Sequence, residues 1–125
     1  MDIPENLLYT KEHEWVTIEG DVAAVGITDY AQGELGDIVF VELPKKGDAT
    51  QAMTSCGSIE AVKAVADINA PLSGEVTEVN SDLESDPQLI NQDPYGKGWI
   101  LKIKLTDIKE KDQLLSAAAY KELIA

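Results

Sequence analysis

The chain contains one cysteine and one histidine among its 125 residues. A lone thiol, Cys56, permits no internal disulfide and no Cys-x-x-Cys redox pair, so any dithiol chemistry has to come from an added group. A lone imidazole, His13, excludes a multi-histidine metal site and a Ser-His-Asp triad centred elsewhere, and a structural place is expected for it. No phosphate-binding glycine loop is present: Gly33 and Gly36 are spaced as helix-terminating residues, not as a G-x-G-x-x-G fingerprint. Basic residues are few, 10 against 23 acids, for a formal charge of -13. That balance repels nucleic-acid phosphates and anionic lipid headgroups and favours partners with basic docking faces. The apolar run Ile38 to Val41 is too short to span a bilayer. The acidic start Met1-Asp2-Ile3-Pro4-Glu5 has neither signal-peptide nor transit-peptide character. A cytoplasmic location is expected, or the mitochondrial matrix for a mature form whose transit peptide has been removed. Internal repeats, low-complexity tracts and Gly/Ser-rich tethers are absent as well.

What is present suits one packed unit. A length of 125 residues with 44% hydrophobic composition predicts a single domain over 1–125 with a modest core. Trp15 to Ile18 and Val22 to Val25, joined at Glu19-Gly20-Asp21, read as an opening hairpin. Thr28 and Asp29 can cap a short helix, with Gln32 at capping-box spacing from Asp29, and Gly33 and Gly36 limit it to a connector of about two turns. Ile38 to Leu43, ending at Pro44, reads as a strand buried on most of its surface. Asn80 to Asp86 is polar and acidic, and Asp86-Pro87 reads as the start of a short helix through Leu89 and Ile90. Trp99, Leu101, Ile103 and Leu105 fall on one face of a period-two strand that carries Lys102 and Lys104 on the other. Residues 107–125 are rich in helix formers, with Ser116 placed to cap the second of one or two helices.

The stretch Ser58 to Val76 is ambiguous by pattern. Ile59, Val62 and Ala66 recur at helical spacing, and Glu60, Lys63 and Asp67 form a charged row on another face. A hairpin reading sets Ile59-Glu60-Ala61 against Ala64-Val65-Ala66 across Val62 and Lys63, with a break at Pro71 and Gly74. Its turn lacks the Asn-Gly or Gly-X chemistry of tight hairpins. The two readings weigh about equally on pattern alone.

Glu60-Ala61-Val62-Lys63-Ala64, with Ala70-Pro71-Leu72-Ser73-Gly74 downstream, resembles the lipoyl-attachment motif of the glycine cleavage system H protein family. His13-Glu14-Trp15-Val16, Gly26 to Ala31, Leu35 to Pro44 and Pro94 to Trp99 resemble that family's signatures in the family's order. The resemblance implies a mainly β, lipoyl/biotinyl-type barrel-sandwich hybrid with short helices, and 107–125 as a C-terminal helical extension. It selects the hairpin, with Lys63 at a turn tip and amide-linked to lipoic acid. It also implies a carrier, not an enzyme. Such a carrier takes an aminomethyl group from the pyridoxal-phosphate-dependent glycine decarboxylase, yields it to the tetrahydrofolate-dependent aminomethyltransferase, and is reoxidised by dihydrolipoamide dehydrogenase. A lipoate ligase or lipoyltransferase would load it, and a shuttle visiting three enzymes is most simply a monomer. Biotin is disfavoured because Val62 and Ala64 stand where biotin carriers have methionines. Two alternatives are an H-like relay supplying lipoyl groups to 2-oxo acid dehydrogenase subunits and an unmodified structural domain.

By the same resemblance, Glu60, three before Lys63, and Gly74, eleven after it, are recognised by the modifying enzyme; an exposed carboxylate and a turn glycine are their ordinary roles. A cationic amine held in a cleft calls for an acidic partner. Glu14 and Asp67 are the candidates, with Glu12 behind them. Cys56, Trp15 and Trp99 are expected in the core.

Overall fold

The computed structural model describes residues 2–125 and consists of two antiparallel sheets with short helices. In chain order the elements are β1 (Leu8–Tyr9), β2 (Glu14–Glu19), β3 (Val22–Ile27), α1 (Asp29–Leu35), β4 (Ile38–Glu42), β5 (Ala49–Thr50) and β6 (Thr54–Ala61). They continue with β7 (Val65–Ala70), β8 (Gly74–Val79), α2 (Asp82–Ser85), α3 (Leu89–Gln92), β9 (Leu101–Leu105), a 3₁₀ turn (Ile108–Gln113) and α4 (Ala117–Ile124). One sheet runs β1-β2-β3-β9-β8-β5 and the other β4-β6-β7. Their apolar faces meet in a core that includes Val25, Ile38, Val41, Ile59, Ile68 and Ile103. This is the barrel-sandwich hybrid that the motifs imply.

The opening hairpin follows the turn chemistry: Gly20 takes a φ of 62°, a left-handed conformation that glycine adopts without a Cβ penalty. In α1 the Thr28 side chain accepts from the Ala31 N–H, while Gln32 Nε2 donates to Asp29 Oδ1 at 2.7 Å. Thr28 is thus the cap, and Gln32 is spent on a side chain instead of closing a capping box. At the other end of the chain, Ser116 caps α4 as expected. The extension is fastened by contacts that include paired backbone bonds between Tyr9 and Leu115, a Tyr9–Tyr120 ring stack at 4.7 Å, and the Glu110 carboxylate accepting from the Ser73 N–H and hydroxyl.

Four expectations need correction. Gly33, expected to help end α1, lies inside that helix, and Gly36 alone closes it. β4 is an edge strand whose Val39 and Phe40 are exposed, because a bulge between Ile38 and Phe40 turns part of its apolar run outward. The acidic stretch before Asp86 contains helix α2, and Asp86 closes that helix instead of opening the next. Leu83 supplies the reason, since its side chain is fully buried, and burial of a leucine contributes about 2 kcal/mol. Trp99 lies outside β9 and only partly in; Ile100 is buried in its place, and the indole carries Lys102 Nζ 5.3 Å from its ring centre.

Gly74 pairs with Thr50 on one side and Leu105 on the other, and a Cβ there would lie 2.0 Å from the Lys104 carbonyl oxygen. Gly33, inside α1, has no atom within 4 Å of the corresponding position. Gly74→Ala is therefore expected to lose about 3 kcal/mol of stability, as overpacking against backbone does. Gly33→Ala is expected to gain about 0.5–1 kcal/mol from helix propensity. Urea denaturation of both variants checks the pair, and equal stabilities would contradict the packing argument.

Candidate functional site

Lys63 sits at the tip of the β6–β7 hairpin. Ile59 faces Ala66 and Glu60 faces Val65, and the Ala61 N–H donates to the Ala64 carbonyl at 2.8 Å, which leaves Val62 and Lys63 as a two-residue turn. Neither residue has a positive φ, so the turn is not of the primed type that demands glycine or asparagine. A long-range bond secures it instead: the Val62 N–H donates to the Asp37 carbonyl at 3.0 Å. Asn91 in α3 holds that connection on both sides, donating to the Gly36 carbonyl at 2.9 Å and accepting from the Ile38 N–H at 2.9 Å.

The Lys63 stem crosses Gly36, the residue that ends α1 at a φ of 78°; a Cβ on Gly36 would stand 3.5 Å from the lysine Cδ and Cε. Leu35, next to Gly36, belongs to the wall of a cleft of about 400 Å³. Tyr30, Ala31 and Glu34 of α1 form the rest of that wall, the Glu12-His13 turn closes one end, and Ala66, Asp67 and Asn69 of the free β7 edge lie opposite. Helix α1 is thus a wall of the site and not only a connector. The charged lining is Glu12, Glu34 and Asp67, with no lysine among the lining residues. Such a cleft favours a cation and disfavours an anion.

The two proposed arm partners occupy different depths. Asp67 is exposed on the cleft rim. Glu14 is 1% exposed and accepts from Thr10 Oγ1 at 2.6 Å. Burial pushes its carboxyl from 4.5 up to about 7, against the opposing pull of neighbouring hydrogen-bonding groups of Thr10 and Asn69. Asn69, which also lines the cleft, thus stands near both the buried carboxyl and the cleft. Glu12, the weaker candidate, lines the cleft directly.

His13 does hold a structural place: Nδ1 lies 2.8 Å from the Tyr120 hydroxyl, which is also 2.7 Å from Thr28 Oγ1, the α1 cap. Its ring nonetheless faces the cleft beside Tyr30, at 4.9 Å between ring centres. Burial lowers its pKa, so neutrality is favoured on the cleft wall. Tyr30, Glu34 and Asn69 were not singled out from sequence. Asn69 stands two residues after Asp67, a spacing that a strand assignment would have flagged.

Glu60 is exposed on the outer face of β6, whereas Gly74 is buried in the other sheet and is explained by close packing. Cys56 is partly buried, with its Sγ donating to the Ile68 carbonyl, and burial pushes its thiol up to about 11. It lies within β6, seven residues before Lys63, which stands in the turn beyond that strand's end.

Residues 7–125 match the family described as glycine cleavage H-protein. The chain is 55% identical to the glycine cleavage system H protein of Staphylococcus carnosus, over 99% of this chain and 98% of that protein. It is 56% identical to the one from Rubrobacter xylanophilus, over 95% and 92%. In structure it resembles a glycine cleavage system H protein from Mycobacterium marinum, with a TM-score of 0.88 and 41% identity over 96% of this chain and 97% of that one.

The perturbed carboxyl at Glu14 has a signed consequence. Because its folded pKa of about 7 exceeds the ordinary 4.5, the folded state binds the extra proton. The stabilisation is complete below pH 4.5 and is lost as pH rises through about 7. The loss amounts to about 3 kcal/mol. Unfolding free energies of wild type and Glu14→Gln across this window are expected to converge or cross as pH rises, the wild type falling more steeply. Parallel profiles would contradict the assignment.

Proposed function

The chain belongs to the glycine cleavage H-protein family, and from that premise we propose that it is the lipoyl carrier of glycine cleavage, with lipoic acid amide-linked to Lys63. The observation that carries this reading is a lysine at an uncovered hairpin tip beside a cleft whose charged lining is wholly acidic. The residues present fit the group. The stem already passes over Gly36 toward the cleft wall. A lipoylated side chain of roughly 14 Å is also long enough to reach from the turn along the β7 edge to Asp67, four residues on. When bound, the lipoyl group supplies a dithiolane that accepts and releases the aminomethyl group and cycles between disulfide and dithiol.

The chain's own residues bind, orient and shelter. Lys63 sets the point of attachment and the reach. Asp67 and Glu12 on the rim, with Glu34 on α1, hold an ammonium group, while Glu14 acts through Asn69. The His13 and Tyr30 rings wall the cleft and keep water from the cargo. Glu60 and Gly74 contribute to recognition by the modifying enzyme, Glu60 by its exposed carboxylate and Gly74 by the backbone path it permits. The protein is a carrier and not a catalyst, acting as a monomer in the cytoplasm and as one unit over 1–125, with 107–125 as its extension. Its partners are the pyridoxal-phosphate-dependent glycine decarboxylase, the tetrahydrofolate-dependent aminomethyltransferase, dihydrolipoamide dehydrogenase, and a lipoate ligase or lipoyltransferase.

In a reconstituted system, Lys63→Arg is expected to abolish glycine-dependent carbon dioxide release without changing the unfolding midpoint, and release at the wild-type rate would refute the reading. Asp67→Asn and Glu14→Gln are each expected to speed loss of the aminomethyl cargo from the loaded protein by about tenfold, the worth of one charge-assisted contact. Unchanged loss rates in both variants would remove these carboxyls from the cleft's role.

A further inference from the structure

His13 stands where a glycine fits more easily. Its φ of 71° is left-handed, a region in which a side chain is held only when its surroundings impose it. The backbone does impose it: the His13 N–H donates to the Thr10 carbonyl at 3.2 Å, and the His13 carbonyl accepts from the Thr28 N–H at 3.0 Å. The side chain is equally committed. Nδ1 meets the Tyr120 hydroxyl at 2.8 Å, and that hydroxyl meets Thr28 Oγ1 at 2.7 Å. Tyr120 and Thr28 are both fully buried, so each proton in this row needs a partner within the protein. Thr28 Oγ1 accepts from the Ala31 N–H, and among the described residues its own proton has one acceptor, the Tyr120 oxygen. With Thr28 donating, the Tyr120 proton goes to His13 Nδ1, and the ring is neutral with its proton on Nε2. The reverse direction strands the Thr28 proton in a buried place and is disfavoured roughly tenfold or more. Nε2 itself has no partner among the described residues and is not a buried orphan, so it is open to solvent on a residue that lines the cleft.

We propose that Tyr120, backed by Thr28, is a positioning residue that holds His13 as the neutral Nε2–H tautomer, so that the ring turns an N–H and no lone pair toward the far end of the lipoyl arm. The assignment rests on the reading of Lys63 as the attachment point of that arm.

Reach brings the cargo to this ring. The Lys63 stem crosses Gly36 at the end of α1, whereas His13 packs on Tyr30 near the start of that helix. Tyr30 and Leu35 are five residues apart, roughly 7.5 Å along the axis. Beyond its Cε a lipoylated lysine has roughly 9 Å of arm left, so the sulfur end, and not the amide, comes to His13. A lone pair at that place would shorten the life of the cargo. The aminomethyl group is retained while its nitrogen is an ammonium. Once that nitrogen gives a proton to a base, its lone pair forms a C=N bond, the C–S electron pair leaves on sulfur, and water adds to the freed carbon to yield formaldehyde and an ammonium ion. Imidazole with a free lone pair is the ordinary base for such a step near neutral pH. With Nδ1 engaged by Tyr120 and a proton on Nε2, the ring has no place for the proton. The ammonium is left to Glu12, Glu34 and Asp67, which line the same cleft and favour the charged form. The row also opposes protonation of the ring, because a proton added at Nδ1 reverses it and strands the Thr28 proton again. Burial lowers the His13 pKa in the same direction, against Glu12 beside it and Glu34 from α1; Tyr30 and Tyr120 are the other titratable groups packed on the ring.

The chain's single histidine gives one pair of ring-nitrogen signals. Long-range proton–nitrogen correlation NMR of the unmodified full-length chain, from about pH 5 to about pH 9, is expected to show neutral His13 at least about ninety per cent in the Nε2–H form, a tenfold preference. Tyr120→Phe keeps the ring that stacks on Tyr9 and removes the hydroxyl. Its His13 is expected to sample both tautomers and to titrate at higher pH, whereas Thr28→Ser, which keeps the hydroxyl, behaves as wild type. In lipoylated protein carrying the aminomethyl cargo, Tyr120→Phe is expected to lose that cargo about tenfold faster or more, with a pH dependence that follows His13. Adding His13→Asn, a residue that tolerates a left-handed backbone, is expected to return the loss to within about twofold of wild type. A wild-type neutral ring with its proton on Nδ1 overturns the proposal, whether or not any variant folds. Fast loss that persists in Tyr120→Phe/His13→Asn overturns it too, and makes Tyr120 a structural tie only. If the tautomer is as stated but Lys63 takes no lipoyl group, the reading of Lys63 fails and the role toward the arm falls with it, while the direction of the protons stands.

Discussion

The arrangement depends on how a lysine is kept at the far end of a sheet without strand or helix over it. A tight turn of Val62 and Lys63 has no glycine and no positive φ to relieve it, so its geometry has to be imposed from outside. The Asp37 carbonyl does this by accepting from the Val62 N–H, and Asn91, from a helix more than fifty residues along the chain, fixes the residues on either side of Asp37. The hairpin tip, the end of α1 and the start of β4 are thereby one mechanical unit. On the proposed reading of Lys63, an attachment point must be accessible to several enzymes yet fixed in direction, and a tip anchored at its base meets both demands.

The same unit sets the cleft. Gly36 ends α1, leaves room for the lysine stem and passes the chain to Asp37. Tyr120 reaches the opposite side from α4, touching both His13 and the Thr28 cap of α1. The C-terminal extension is therefore tied to the cleft's two walls, and its fastening to Tyr9 and Ser73 serves the site as well as the fold. Electrostatically the cleft has exposed carboxylates and the Asn69 amide in its lining, and outside that lining a carboxyl, Glu14, raised by burial. A cation entering from above meets charge first. A proton held at Glu14 is then free to leave, because an added positive neighbour favours the ionised form.

Features legible in the sequence are those set by neighbours in the chain. The β2–β3 hairpin follows from Gly20, α1 from Thr28, and α4 from Ser116, each a local device with a local signal. The motif resemblance set Lys63 at a hairpin tip, where the structure has it, but composition and periodicity alone left its segment divided between helix and hairpin. The reason is now visible, since the bonds that decide the matter come from Asp37 and Asn91 and leave no trace in the turn's own residues. Nonlocal burial explains the remaining differences as well. Leu83 draws an acidic stretch into a helix, Ile100 displaces Trp99 from the core, and a bulge turns Val39 and Phe40 to the surface. Among candidate site residues, Asp67 and Glu12 line the cleft. Glu14 lies deeper than a salt-bridge partner would, because Thr10 satisfies it from within the protein.

The central claim is that Lys63 carries the lipoyl group, and the direct measurement is the intact mass of the protein purified from its native host, followed by peptide mapping across Ser58 to Gly74. The account predicts a lipoyl-sized increment on Lys63 and on no other lysine. A chain that is stoichiometrically unmodified at Lys63 in cells actively cleaving glycine, or one modified elsewhere, would contradict it.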